Sequence, residues 1–103
     1  MNKEFNCPVE ATISLIGGKY KSVILFHLMG KTLRYSELHK KIPKATDKML
    51  AQQLRELEKD GLIKRTVYPV VPPKTEYNLT EFGESLSPIL NAMCNWGESY
   101  LNI

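Results

Sequence analysis

The chain has 103 residues, 43% of them hydrophobic and 24% charged, which is typical of one globular domain. Six glycines and six prolines are near average, so collagen-like and wholly disordered classes are excluded. The formal net charge is +3, and the longest apolar run, Val23–Phe26, is far shorter than the roughly 20 residues of a membrane-spanning helix.

The positive charge is concentrated in one part of the chain. Residues 18–48 contain eight Lys and Arg against two acidic residues, whereas residues 80–103 contain three Glu and no basic residue. Such a distribution is typical of a module that binds a polyanion, and a solvated lysine face is the open alternative. With two cysteines and no apolar leader segment, the sequence predicts a cytoplasmic protein without a disulfide framework.

Three helices are predicted in the first half of the chain. The first begins at Pro8 and ends at the Gly17-Gly18 pair, and the second spans Lys19–Met29. A short third helix is expected to be capped by Ser36 and to end near Ile42, before a proline.

A longer helix is predicted over about residues 46–60. Thr46 is suited to cap it, and Gly61 to supply the left-handed residue that ends it. A helical period of 3.6 residues places Leu50, Leu54 and Leu57 on one side. The same period places four polar or basic residues on the opposite side, namely Lys48, Gln52, Arg55 and Lys59.

A β-hairpin and a last helix complete the chain. Strands are predicted at Leu62–Tyr68 and Thr75–Leu79, joined by a proline-rich tip, and a helix from Glu81 to about Leu101 that Pro88 kinks or splits. The fold class is therefore mainly α with a small β-hairpin, a single winged helix-turn-helix domain over residues 1–103. In this reading residues 46–60 form the recognition helix and residues 62–79 the wing, while segments 1–17 and 80–103 serve dimerisation.

The polar stripe of the long helix matches what DNA recognition requires. The N-terminal part of a recognition helix meets base edges, so Lys48 and Gln52 are predicted to contact bases, with Thr46 and Met49 as weaker candidates. Arg55 lies further along and is expected to hold a phosphate or a nearby carboxylate. The alternative is the solvated face of an ordinary surface helix.

Outside this helix, hydroxyl and basic side chains are expected to hold the DNA backbone. The predicted contacts are Tyr35, Ser36, Lys44, Arg65 and Lys74. For Arg65 the alternative is a cross-strand ion pair with Glu76.

The sequence resembles the HxlR-type family of bacterial winged helix-turn-helix regulators, relatives of the MarR-like regulators. The matching stretches are Ile16–Lys21, Leu50–Leu62, Arg65–Tyr68 and Val71–Gly83. Tyr20 stands where these proteins usually have Trp, and Lys44–Asp47 replaces their usual approach to the recognition helix. The resemblance implies a homodimer that binds a double-stranded DNA operator of two-fold character and regulates transcription, with an effector not given by the sequence.

An apolar stripe in the last helix predicts the dimer interface. Its members are Phe82, Leu86, Ile89, Leu90, Met93, Trp96 and Tyr100. A small domain that has already formed its core from the preceding helices would use part of this stripe against a second chain. The alternative is packing within the chain only.

Cys7 precedes Pro8 at the start of the first helix, where the helix dipole favours a thiolate. The resemblance implies that a cysteine here serves as a redox or electrophile sensor in some family members, while a capping or packing role is equally open. Cys94 is expected to be a buried small apolar residue.

The sequence gives no sign of a metal site, a cofactor or an enzyme. His27 and His39 lie apart, and no nucleophile, base and acid are grouped as catalysis would need. The leading hypothesis is a DNA-binding regulator, and the alternative is a winged-helix module for protein–protein contact without operator binding.

Overall fold

The computed structural model describes residues 5–103, so residues 1–4 of the predicted dimerisation segment 1–17 lie outside the described residues. The elements follow in the order α1 (Pro8–Ile16), α2 (Lys21–Leu28), β1 (Leu33–Arg34), α3 (Tyr35–Lys41), α4 (Asp47–Lys59), β2 (Ile63–Tyr68), β3 (Lys74–Leu79), α5 (Glu81–Glu84) and α6 (Ser87–Leu101). This order confirms the predicted fold class, a mainly helical winged helix-turn-helix.

The core lies where α2, α3, α4 and α6 meet the sheet. Its fully buried side chains are almost all Leu and Ile, at Ile24, Leu25, Leu28, Leu38, Leu50, Leu54, Leu57, Leu62, Ile63 and Leu90. Removing each such side chain from water stabilises the fold by about 1.5–3 kcal/mol before entropy is counted. This apolar centre fixes α4 to the rest of the molecule along one side.

The sheet has three antiparallel strands in the order β1-β3-β2, one more than the sequence predicted. Leu33 and Tyr77 are partners in the β1–β3 pair, and Arg65 lies opposite Tyr77 in the β2–β3 pair. Strand β1 continues directly into α3. The hairpin is therefore hydrogen-bonded to the segment that starts the helix-turn-helix.

Helix α3 begins earlier than the sequence predicted. Its N-cap is Arg34 rather than Ser36, because the Glu37 carboxylate accepts a hydrogen bond from the Arg34 amide at 2.8 Å. Ser36 lies inside the first turn, and its hydroxyl is exposed. The prediction of Ser36 as the cap was wrong, since a glutamate in the first turn satisfies the free amide instead.

The C-terminal segment is split into two helices, as Pro88 suggested. Thr80 caps α5 by accepting a hydrogen bond from the Gly83 amide at 3.0 Å, and its own hydroxyl donates to the Gly61 carbonyl at 2.5 Å. Pro88 stands in the first turn of α6, where the missing amide hydrogen costs nothing. Gly61 has φ +78°, the left-handed conformation predicted for the end of α4.

The prediction that Leu90 faces a second chain is wrong. Leu90 is 2% exposed and belongs to the core of its own chain. It lies on the side of α6 that packs against α2, whereas Ile89, Met93 and Trp96 of the same helix are exposed to solvent. Leu90 therefore stabilises the monomer.

Candidate nucleic-acid interface

Helix α4 is anchored on one side and exposed on the other. The Thr46 hydroxyl caps it by accepting a hydrogen bond from the Met49 amide at 3.1 Å, and Met49 itself is half-buried. The leucines at positions 50, 54 and 57 are at most 1% exposed. On the outward side the exposed residues are Lys48, Gln52, Arg55 and Lys59, which we call the α4 stripe.

Most basic groups of the interface are free of internal ion pairs. No carboxylate of residues 5–103 lies within 4 Å of the charged nitrogens of Lys44, Lys48, Arg55 or Arg65. The strand register places Thr66, not Arg65, opposite Glu76, so the alternative ion pair for Arg65 is not formed. These cations are available for an external anion.

The corner between α3 and α4 is fixed by three side chains. The Tyr35 hydroxyl donates to the Asp47 carboxylate at 2.7 Å, and His39 Nδ1 lies 3.2 Å from the same carboxylate oxygen. His39 Nε2 lies 2.8 Å from the Ala45 carbonyl oxygen. Burial, together with the hydrogen bond to Asp47, raises the pKa of Tyr35 to about 12. Tyr35, predicted to hold a phosphate, thus orients the start of α4.

A cleft of about 450 Å³ separates the start of α3 from the tip of the hairpin. Arg34 and Ser36 line one wall, and Lys74 lies on the other. Two cations and a free hydroxyl around one cleft suit a phosphate group. Sequence reasoning missed Arg34, because its place beside the hairpin depends on the pairing of β1 with β3.

Lys74 is held along the hairpin. Its Nζ lies 3.2 Å from Glu76 Oε2 and 5.0 Å from the centre of the Tyr68 ring. The hydrogen bond from Lys74, followed by that from Tyr68, holds the pKa of the Glu76 carboxyl below its usual range. The Lys74 ammonium is therefore partly neutralised in the free protein, unlike the cations of the α4 stripe.

Comparison with known proteins identifies the family. The family model described as HxlR-like helix-turn-helix matches residues 15–103 of the chain. This chain belongs to the HxlR-like helix-turn-helix family. The membership confirms the resemblance that the sequence motifs indicated.

Similar proteins include transcriptional regulators of the helix-turn-helix type. YtcD of Bacillus subtilis (strain 168), named an HTH-type transcriptional regulator, is 55% identical over 100 residues, which cover 97% of this chain and 79% of YtcD. The structure of the redox regulator HypR in its oxidized form has a TM-score of 0.86 at 50% identity and covers 90% of this chain and 96% of HypR. The reduced form of the B. subtilis transcriptional regulator YodB has a TM-score of 0.76 at 35% identity, covering 93% and 95%.

The HxlR-like chain is accordingly a DNA-binding transcriptional regulator of the winged helix-turn-helix type. Its family is one of regulators rather than of enzymes. Within residues 5–103, none of the helices has the length and apolar character needed to span a bilayer. The described part of the chain also holds no group of three or more Cys, His, Asp or Glu side chains arranged to bind a metal.

Two buried polar side chains of this HxlR-like protein were not anticipated from its sequence. Gln53 is buried, and its Oε1 accepts a hydrogen bond from the Tyr20 amide at 3.1 Å. Lys21 is also buried, and its Nζ lies 2.7 Å from Glu56 Oε1. Both contacts join α4 to the start of α2, far away in sequence, so no local pattern announces them.

Most of the predicted dimer stripe is open to solvent. Trp96 and Tyr100 are 69% and 75% exposed and stack with their ring centres 5.5 Å apart. Phe82, Ile89 and Met93 are also exposed, while Leu86 is half-buried against the core. Apart from Leu86 and the buried Leu90, these side chains form an apolar surface on α5 and α6 that lacks a partner among the described residues.

The two cysteines are free thiols in different surroundings. Cys7 is the exposed N-cap residue of α1. The free amides beside it, those of Asn6 and of Cys7 itself, donate to the Glu10 carboxylate at 2.7 and 3.3 Å. Cys94 is half-buried rather than fully buried and lines a small apolar cavity of about 230 Å³ between α2 and α6. Cys7 is thus the more accessible of the two.

Proposed function

We propose that this regulator acts as a homodimer that inserts its two α4 helices into successive major grooves of an operator. In this mode of docking, two half-sites lie about one helical turn apart. The single observation that supports it best is the exposure of the α4 stripe, whose cations form no ion pair within residues 5–103, while the leucines behind it are buried. Near its start the stripe carries Lys48 and Gln52, which suit base edges, and further along it carries Arg55 and Lys59, which suit phosphates.

The supporting contacts surround this helix. Lys44 precedes it, Ser36 borders the cleft next to the hairpin, and Arg65 and Lys74 belong to the wing. Thr46 caps α4 and Met49 lies in its first turn, both close to the base-contacting residues, but the Thr46 hydroxyl is engaged in capping. Tyr35 contributes by positioning Asp47 at the start of α4.

Salt dependence tests the DNA contacts. If each subunit neutralises three to five phosphates, a dimer neutralises about 6–10, and affinity falls by roughly 10³–10⁵ between 50 and 200 mM salt. Lys44→Ala removes a predicted phosphate contact and should reduce the log–log slope by about one per subunit. Lys31→Ala is the matched control, because Lys31 lies in a cleft with Glu84, away from the α4 stripe. A flat slope for the unaltered protein would instead favour a module for protein–protein contact.

The exposed apolar surface of α5 and α6 supports the homodimer. Isolated domains rarely leave a stacked Trp–Tyr pair with neighbouring Ile and Met open to water. Residues 89, 93, 96 and 100 follow each other at helical spacing, so they form one continuous stripe that a second copy can cover. The described part of the predicted segment 1–17 adds the exposed Val9 and Ile13 of α1.

Analytical ultracentrifugation tests the dimer. Trp96→Glu should shift the protein toward monomers and weaken operator binding, because it places a charge in the apolar stripe. Asn91→Glu adds the same charge to the exposed opposite side of α6 and should leave the dimer intact. A Trp96→Glu protein that sediments as the unaltered one would refute this interface.

We also infer that Cys7 is a thiol sensor. Its exposure at the start of α1 supports this, as does the similarity to HypR, which is named a redox regulator. In the reaction with diamide, the Cys7 thiol and a second thiol, from the partner subunit or from a small molecule, together lose two protons and two electrons. One S–S bond forms between them, and diamide becomes the hydrazine. Diamide should release the protein from DNA, and Cys7→Ser should abolish that release while Cys94→Ser serves as the comparison. Release that is unchanged in Cys7→Ser would remove Cys7 as the sensor.

This function requires no cofactor and no catalysis by the chain itself. An operator-binding regulator acts where the DNA lies, which we take to be the cytoplasm. Its operator sequence is best obtained by selecting bound fragments from random duplex DNA. The selected duplex then serves as the probe in the salt, diamide and base-preference titrations.

A further inference from the structure

Gln52 is held by a neighbour that does not itself belong to the α4 stripe. Its Nε2 donates to Glu56 Oε2 at 3.2 Å, while the other oxygen of that carboxylate, Oε1, lies 2.7 Å from Lys21 Nζ. The Lys21 side chain is 9% exposed and approaches from the protein side, whereas Glu56 is 42% exposed. The three side chains thus form a chain from the base of α2 to the outward face of α4.

The chemistry of this contact fixes the direction of the Gln52 carboxamide. The hydrogen bonds from Lys21 and then from Gln52 hold the pKa of the Glu56 carboxyl below its usual range, so it is an anion. A carboxylate only accepts hydrogen bonds, whereas the two ends of a carboxamide have opposite roles and nearly equal shape. Glu56 therefore binds the NH2 end of Gln52 and repels its oxygen. The orientation in which the carboxamide is turned by 180°, with its oxygen toward Glu56, is thereby disfavoured.

A fixed carboxamide distinguishes between purines. Adenine presents an N6 amino donor and an N7 acceptor in the major groove, whereas guanine presents two acceptors, O6 and N7. The Gln52 NH2 has two hydrogens, so one can remain on Glu56 while the other meets N7 and the Gln52 oxygen accepts from N6. Guanine would set its O6 against the Gln52 oxygen.

We propose that Glu56 is a positioning residue that makes Gln52 selective for adenine over guanine, with Lys21 holding Glu56 in place. The inference rests on the proposed function, because it requires the α4 stripe to meet base edges. Glu56 contacts no DNA in this scheme. Its effect is to set which end of the Gln52 carboxamide meets purine N7 and which end meets the group at purine position 6.

Base preference is the measurement that tests it. Selection from random duplex DNA with the unaltered protein and with Gln52→Ala identifies the base pair at which the preference depends on Gln52. Duplexes with adenine or guanine at that position are then titrated with each variant. The unaltered protein should prefer adenine by about tenfold, within the range of a good bidentate contact.

Glu56→Gln keeps the size of the side chain but offers both a donor and an acceptor, so both orientations of Gln52 become possible. The adenine preference should then fall to about threefold or less, while affinity for the selected site is kept or raised because a negative charge is removed. Glu56→Ala should show the same loss of preference, and thermal melting verifies that both variants fold. Glu58→Gln, which removes an exposed charge from the same helix, should retain the full preference.

An adenine preference that persists in both Glu56 variants would overturn the inference, as would an equal loss in Glu58→Gln. Failure of the proposed function gives a different result. In that case the unaltered protein itself shows no selected site and a flat dependence of affinity on salt.

Discussion

Two adjacent glutamines in α4 have opposite surroundings, and exchanging each for alanine should separate folding from DNA binding. Gln53 is buried and accepts the Tyr20 amide at 3.1 Å, whereas Gln52 is exposed. Gln53→Ala removes the acceptor and leaves the Tyr20 amide without a partner in a half-buried position. Such a loss costs about 1–3 kcal/mol, and partial access of water favours the lower half of that range.

A loss of about 1–2 kcal/mol in a domain of this length lowers the melting temperature by roughly 5–15 °C. Gln52→Ala removes only an exposed side chain, so the free energy of unfolding should change by less than about 0.5 kcal/mol. Its operator affinity should instead fall about tenfold, from the lost base contact. Gln53→Ala, at a temperature where it is folded, should bind the operator as the unaltered protein does.

Melting followed by circular dichroism and operator titration by fluorescence anisotropy measure the two effects, at one protein concentration because a dimer melts in a concentration-dependent way. A Gln53→Ala protein with the same melting temperature as the unaltered protein would refute the structural role of Gln53. A Gln52→Ala protein that is destabilised but keeps full affinity for the operator would refute the base contact of Gln52.

Three further predictions follow from individual side chains. Burial and the hydrogen bond to a carboxylate raise the pKa of Tyr35 to about 12, so the stability from its neutral phenol is complete below pH 10 and is lost as pH rises toward 12. In a pH titration followed by absorbance at 295 nm, Tyr35→Phe should therefore lack the tyrosine that ionises at the highest pH. A titration curve identical to that of the unaltered protein would contradict the raised pKa of Tyr35. Burial, followed by nearby lysines, lowers the pKa of His27 from 6.5, so the stability from its neutral form is present above pH 6.5 and is lost as pH falls toward the folded-state pKa. In urea unfolding at pH 7.5 and pH 5, His27→Gln should lose less stability on acidification than the unaltered protein, and an equal loss in both argues against this cause. A Cβ at Gly83 would overlap the backbone carbonyl oxygen of Leu62, so Gly83→Ala should lower the free energy of unfolding in urea by about 1–3 kcal/mol. Gly97→Ala is the control, because the added carbon meets open space and should not destabilise the fold. Equal effects of the two substitutions would contradict the close approach at Gly83.

The sequence was most informative where one local pattern decides the outcome. Helix α4 spans Asp47–Lys59 close to its predicted bounds, because a capping Thr46, three leucines at helical spacing and Gly61 all favour the same structure. The same spacing correctly placed Lys48 and Gln52 on the solvent side. Their role on DNA stays a prediction, since side-chain exposure does not identify the partner.

Contacts between distant segments escaped the sequence analysis. A two-residue strand has no periodicity to detect, so β1 was missed, and with it the place of Arg34 beside the hairpin. Lys21 and Gln53 belong to residue types that normally lie in solvent, yet each finds a partner more than thirty positions away. Leu90 was assigned to the wrong neighbour because an apolar stripe does not say whether its own core or a second chain covers it.

The short pairing of β1 with β3 has a consequence for building chimaeric regulators. Residues 33–34 form one of the two outer strands of the sheet and pair with β3, so a hairpin taken from a relative without them would lack its own partner for β3. The exchangeable unit is discontinuous and consists of residues 33–34 together with residues 63–79. Hybrids that receive both segments should keep the three-stranded sheet. In hybrids that receive the hairpin alone, the β3 strand of the donor would have to pair with the β1 strand of the recipient.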